Sequence, residues 1–238
     1  MIPIKIHTQP DDSTCGPTSL HAVYRYFNDP ITLSEVIREV PYLEEGGTLE
    51  VLLACHALRR GYKATIFTYN LHVFDPTWFD LTNEEIIEKL EQQLKVKKGK
   101  KLERASLAYI EFLELGGRLC CENLTVDLMS SYFDAGIPML TGLSATYLYR
   151  SSREFADEAG NSVYDDVHGY PMGHFVVLCG FTDDQRHVVV ADPYPDNPYF
   201  NNNYYEVGLS HLLSSIMLGM STFDANLLAI EPQHPQTD

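Results

Sequence analysis

The chain has 238 residues, 45% of them hydrophobic and 21% charged, an ordinary globular balance that excludes a disordered or fibrous protein and suffices for one sizeable core. Seventeen basic against 33 acidic residues leave a net charge of −16, which argues against nucleic acid as a partner, because phosphate binding needs a basic surface. No apolar run approaches the roughly 18 residues of a membrane helix, so no membrane association is expected.

Ile2 to His7 reads as a short strand. Ser13, Thr14 and Cys15 lead into Gly16-Pro17 and then Leu20, Val23, Tyr24 and Phe27. Small polar residues, a Pro in the first turn and apolar spacings of three and four predict a helix, stopped at Asn28-Asp29-Pro30. Thr32 or Ser34 caps a short helix to about Val40. A further helix follows Gly46-Gly47-Thr48, with Leu49, Leu52, Leu53 and Leu58 on its apolar side, and ends at Gly61. Tyr62 to Tyr69 reads as a strand. Two helical stretches, near 83–96 and 101–115, flank the charged turn Lys97-Lys98-Gly99-Lys100-Lys101. Thr125 caps a helix to Asp134, with Gly136 past its end. Pro138 to Leu143 is a predicted strand and 144–173 a loop. Strands follow at 174–181, 187–192 and 204–207, then a helix at 209–218 and a strand at 226–230. The tail from Glu231 is expected to be disordered. Helices first and a mostly antiparallel sheet after them is an α+β pattern in one domain, with 70–123 as a helical insertion.

The five cysteines, Cys15, Cys55, Cys120, Cys121 and Cys179, are odd in number and form no C-x-x-C pair. They support neither a disulfide framework nor a zinc site, and with no apolar signal core after Met1-Ile2-Pro3-Ile4-Lys5 a cytoplasmic location is expected. Seven of the 17 basic residues fall between Lys89 and Arg104, against only Glu91 and Glu103. The bland reading is a solvated helix pair; the sharper one is a docking patch for an acidic partner.

Cys15 carries the chemistry. A cysteine in the first turn of a helix faces the positive end of the helix dipole, which favours the nucleophilic thiolate. Free cysteine is more often a small buried apolar residue, but those sit among apolar neighbours, as Cys55 and Cys179 do, whereas Cys15 stands in a polar, Gly/Pro-punctuated stretch. A thiolate needs a base, and the base an orienting group. His174 and Asp192 have an index sum of 366, centred on 183, and the turn at 182–185 is centred on 183.5. In an antiparallel hairpin they then come close to facing each other, within a residue of register. Gln9 offers an amide that, with the backbone N–H of Cys15, can hold a developing oxyanion.

Gln9-x5-Cys15-Gly-Pro-Thr-Ser-Leu, His174-Phe-Val-Val-Leu and Ala-Asp192-Pro together resemble the C39-like peptidases, a branch of the papain-like cysteine peptidase superfamily. The resemblance covers roughly 3–68 and 124–230. It implies a papain-like fold with the Cys helix packed on an antiparallel sheet, Cys15 as nucleophile, His174 as base, Asp192 as orienting acid and Gln9 as oxyanion donor. Transporter-fused members cleave leader peptides after paired glycines and continue into membrane helices. This chain has no such span, and it carries the extra segment 70–123 and a long stretch before His174.

The expected function is therefore a thiol hydrolase, a peptidase or amidase, acting on a peptide or amide substrate through an acyl-enzyme. The alternatives are acyl transfer by the same groups and a binding module on an inactive scaffold. No cofactor or metal is expected: His168 and His174 lack a third ligand nearby, and neither a G-x-G-x-x-G nor a phosphate-loop motif occurs. The oligomeric state is not legible. Segment 144–173 runs into His174 and is expected to be an active-site loop, with glycines 160, 169 and 173 as candidate hinges.

Overall fold

The structure, a computed structural model, describes residues 1–43, 47–157 and 162–233. Its helices are α1 (Cys15–Tyr26), α2 (Leu33–Glu39), α3 (Glu50–Arg59), α4 (Asn83–Val96), α5 (Lys100–Glu114), α6 (Val126–Asp134), α7 (Ala145–Leu148) and α8 (Leu209–Leu218). Its strands are β1 (Tyr62–Thr68), β2 (Arg118–Cys120), β3 (Met139–Ser144), β4 (Glu154–Ala156), β5 (Ser162–Tyr164), β6 (Gly173–Phe181), β7 (His187–Ala191), β8 (Tyr204–Gly208) and β9 (Asn226–Pro232). The caps are the ones polar side chains make. Thr32 and Thr82 each form a reciprocal capping box with the glutamate three residues on, and the Leu128 N–H donates to Thr125 Oγ1.

Seven strands form one sheet in the order β2-β1-β9-β3-β6-β7-β8, antiparallel except for the β1–β2 pair. Both faces are covered. On one, Leu20, Val23, Leu53, Tyr109 and Phe112 from α1, α3 and α5 bury against Ile66, Phe175, Val177 and Leu228. On the other, Met129, Leu148, Leu212 and Ile216 from α6, α7 and α8 cover Leu143, Val176, Leu178 and Val190. The fold is α+β, with the Cys15 helix packed on a mostly antiparallel sheet. Among the described residues no helix is long and apolar enough to cross a membrane.

Several elements differ from the sequence reading. Ile2–His7 forms no strand. Pro3 has no N–H to give a ladder, and the segment is tied by the Ile2 N–H to the Cys179 carbonyl (2.8 Å) while Ile2 and Ile4 bury their side chains. The three-residue β2 went unpredicted. Segment 144–173 is more than a loop: it holds α7 and the small β4–β5 hairpin, whose strands are too short for alternation to show. Gly160 lies outside the described residues. Glu231 and Pro232 are not tail but the end of β9, opposite Lys63 and Tyr62, while 234–238 lie outside the described residues. Segment 70–123 is integral: Ile86, Leu90, Tyr109, Phe112 and Leu113 belong to the first core, and β2 extends the sheet.

Candidate active site

Cys15 opens α1, and the loop before it is held by its own polar groups. The Ser13 N–H and hydroxyl donate to Asp11 Oδ1 (2.9 and 2.7 Å), and the Thr14 hydroxyl donates to the Asp11 carbonyl (3.0 Å). Burial works against the Asp11 carboxylate, but these bonds outweigh it and lower its pKa. At the helix start Pro17 has no N–H and the Thr18 N–H returns to the Thr14 carbonyl (3.0 Å). The N–H groups of Cys15 and Gly16 therefore lack an intrahelical acceptor and point out of the helix end. Gly16 has no room for a side chain: a Cβ would stand 2.7 Å from Thr48 Cγ2 and 3.2 Å from the Phe175 ring. The Ser19 hydroxyl donates to the Phe175 carbonyl (3.1 Å), fastening the helix to β6.

His174 lies at the start of β6, 7% exposed, with Nε2 2.8 Å from Asp192 Oδ1. Nε2 is thus engaged, and Nδ1 is the nitrogen left for Cys15, which acts on the ring electrostatically. Burial alone disfavours the charged ring. The charge and hydrogen bond of Asp192, and then the interaction with Cys15, overcome it and raise the His174 pKa to about 10. The ring is therefore an imidazolium at neutral pH.

Asp192 is fully buried, and four donors satisfy its carboxylate. Oδ1 accepts from His174 and from the Tyr194 N–H (2.8 Å); Oδ2 accepts from the Tyr149 and Tyr205 hydroxyls (2.7 Å each). Its backbone is clamped too: the Asp192 N–H donates to the Asn203 carbonyl (2.8 Å), and Asn203 Nδ2 donates to the Asp192 carbonyl (2.7 Å). Burial and the nearby Asp192 charge push both tyrosine hydroxyls well above their usual range, so they stay protonated as donors.

Gln9 is brought to the same loop by its backbone, whose N–H donates to the Pro193 carbonyl (2.9 Å). Its Nε2 donates to the Asp11 carbonyl (2.9 Å), and Oε1 is buried without a partner. An amide nitrogen carries two hydrogens, so one remains after the Asp11 bond.

The other thiols differ. Burial raises Cys55 and Cys179 to about 12 and pushes Cys120 and Cys121 up as well, though Cys121 is exposed. Sequence reasoning missed Tyr149, Tyr205 and Asn203. Tyr205 left a faint signal, since it alternates with the buried Val207 on β8; Tyr149 follows a four-residue helix in a stretch read as loop.

The sequence profile of the Peptidase_C39 like family matches residues 1–210. A search of curated proteins finds no match. Among solved structures, the chain is similar to the peptidase domain of Streptococcus ComA, a bifunctional ABC transporter, at 11% identity and a TM-score of 0.44, with 97% of this chain and 99% of that one covered. A candidate C39-like peptidase of Bacillus anthracis aligns at 14% identity and TM-score 0.48 over 99% and 98% of the two chains. Xylellain, a cysteine protease of Xylella fastidiosa, aligns at 10% and 0.41 over 98% and 85%.

Proposed function

The chain belongs to the Peptidase_C39 like family, and from that premise we propose that it is a cysteine peptidase or amidase working through an acyl-enzyme on Cys15. The observation that carries the reading is the buried His174 ring, fixed by a buried, four-fold hydrogen-bonded Asp192 and coupled electrostatically to Cys15 at the start of α1. The Cys15 sulfur attacks the substrate carbonyl. The oxyanion is met by the free N–H of Cys15 and the second hydrogen of Gln9 Nε2. His174 gives its proton to the departing amine, leaving a thioester. Water, deprotonated by the now neutral His174, attacks that thioester, and collapse frees the acid and the Cys15 thiolate beside the re-formed imidazolium. Asp192 holds the ring's orientation and its positive charge throughout. The five free thiols fit a reducing, cytoplasmic setting.

The test is a screen of peptides and simple amides with the Cys15→Ala protein as blank. Turnover by the wild type, absent in both Cys15→Ala and a folded His174→Ala, is expected. Equal turnover by wild type and His174→Ala on a substrate that Cys15→Ala leaves intact would overturn the assignment of the base. Trapping of product by an added amine would mark acyl transfer.

A further inference from the structure

We propose that the cavity between Tyr42-Leu43 and the first turns of α5 is a specificity pocket that receives a carboxylate of the substrate peptide. The proposal rests on the reading of Cys15 as the nucleophile. The cavity has a volume of about 310 Å³ and is lined by Tyr42, Leu43, Leu107, Lys100, Lys101, Glu103 and Arg104. Its floor is apolar, from Leu43 and Leu107, and its rim carries three cations against one carboxylate, Glu103.

The pocket is tied by short contacts to the helix that carries the catalytic cysteine. Gly16 packs against Thr48, whose hydroxyl donates to the Pro41 carbonyl (3.0 Å), and Tyr42 is the next residue. The Tyr42 hydroxyl is raised first by burial and then by its electrostatic interaction with Asp11 and Cys15, and it has no hydrogen-bond partner of its own. On the other side, the Lys101 ammonium stands 5.3 Å over the Phe223 ring. Phe223 holds a left-handed backbone (φ 72°), and its carbonyl accepts from Asn70 Nδ2 (3.0 Å). Asp224, the next residue, lies against Gly142 and is felt electrostatically by Lys101. Gly142 pairs with Phe175, the residue after His174. Lys101 is thus linked through Asp224, Gly142 and Phe175 to the catalytic histidine.

The charge arrangement at Lys101 and Arg104 runs against the helix dipole. A helix N-terminus favours anions, yet α5 begins Lys100-Lys101 and has Arg104 in its second turn, with Gly99 as an uncapped start. In a chain of net charge −16, cations are gathered at the one end of the helix where they repel its dipole. Among the described residues neither Lys101 nor Arg104 has a carboxylate at ion-pair distance. The helix dipole, the two cations and the unpartnered Tyr42 hydroxyl all favour the same occupant, an anionic group on an apolar stem. Glutamate and aspartate side chains fit that description, as does the free C-terminus of a peptide.

Quenched fluorogenic decapeptides with Glu, Gln or Lys scanned through each position, made as C-terminal acids and as amides, test this. Preference for Glu over Gln at one fixed distance from the cleaved bond identifies a side-chain carboxylate; preference for acid over amide alone identifies the C-terminus. The expected discrimination is about tenfold in kcat/KM, as for one charge-assisted hydrogen bond, and it shrinks with added salt. Lys101→Met with Arg104→Gln should collapse that ratio. These changes relieve charge repulsion at a helix end, so the variant should fold at least as well, and iodoacetamide labelling of Cys15 reports whether the site is intact. Fluorescence anisotropy of the same peptides on Cys15→Ala gives a reading independent of turnover. Cleavage without any acid preference would overturn the pocket and leave the peptidase intact. Lys101-dependent binding of acidic peptides with no cleavage would keep the pocket and remove the peptidase. Neither binding nor cleavage of acidic peptides overturns the pocket.

Discussion

His174 and Asp192 are two residues out of register across the β6–β7 pair, and their side chains still meet. Val177 faces Ala191, so Val176 stands opposite Asp192 and His174 is the next residue along on the same face. A diagonal neighbour is within reach of a long side chain, and Nε2 closes to 2.8 Å from Oδ1. A bulge between Leu178 and Gly180 adds a residue to β6 and reduces the offset from three residues to two. An offset of one residue would have put the two groups on opposite faces of the sheet; two preserves the face.

This pairing predicts a pH profile. The folded pKa of His174 lies above its ordinary 6.5, so the imidazolium persists through neutral pH and is lost as pH rises through about 10. The basic limb of kcat/KM should fall near there, as a property of the Cys15–His174 pair rather than of one group. Asp192→Asn removes the charge, moves that limb down and lowers kcat/KM by roughly 10²–10⁴. Tyr149→Phe and Tyr205→Phe should shift it less, in the opposite sense, because each leaves the Asp192 charge in place with one donor fewer. A limb unmoved by Asp192→Asn would remove Asp192 from the site.

How legible this was follows from distance along the chain. Cys15 announces itself locally through Gly16-Pro17 and the polar residues before it, and α1 begins there. The His174–Asp192 pair was accessible because one tight turn fixes both strands to within the parity of the bulge. Tyr149 and Tyr205 were not, since each meets Asp192 through tertiary packing from separate elements. The same holds for Glu50 and Asp224. The sequence shows only a helix-start acid and a loop acid, 174 positions apart, yet the Glu50 N–H donates to Asp224 Oδ1 (3.2 Å).

Labelling should follow the microenvironments of the five thiols. Iodoacetamide at neutral pH is expected to modify Cys15 first, because it stands at a helix N-terminus beside the His174–Asp192 pair. Cys121 should come second, being exposed but with a pKa raised by burial, and Cys55 and Cys179 last, with pKa values near 12. Peptide mass spectrometry over a time course reads the order. If Cys121 leads, the Cys15–His174 pair does not activate the thiol.

Glu50 and Asp224 give a stability signature. Both are buried against one another. The Glu50 oxygens make no hydrogen bond of ordinary geometry, with the Gly142 backbone nearest. Burial, and for Glu50 also the charge of Asp224, raises both carboxyls, Asp224 to about 7. A carboxyl raised in the fold holds a proton that the unfolded chain has released, so its contribution is present below about pH 4 and is lost as pH climbs to 7. Asp224→Asn keeps an acceptor for the Glu50 N–H and removes the charge. The Tm of the variant minus that of wild type should therefore grow between pH 5 and 8, by on the order of 5 °C. A difference independent of pH would mean that Asp224 does not titrate in that range.

The hairpin β4–β5 makes the last prediction. Segment 144–173 has two parts with different duties. The Tyr149 hydroxyl donates to Asp192, and the Ala145 N–H donates to the Met172 carbonyl (2.9 Å), so the two ends of the segment are structural and cannot be cut without disturbing the site. The hairpin is separable. Glu154 and Tyr170 pair through both backbone bonds (3.1 and 2.8 Å), which brings the two sides of an excision together. Yet it leans on the site: Tyr164 interacts electrostatically with Tyr194, whose ring centroid is 6.4 Å from that of His174, and also feels the charge of Asp12. Replacing 155–169 by a short Gly/Ser linker should therefore leave Cys15 alkylation and the thermal transition nearly unchanged. It should raise kcat/KM for long or bulky peptides relative to short ones, because the hairpin walls one side of the approach to Cys15. Identical size selectivity before and after the excision would show that the hairpin takes no part in admitting substrate.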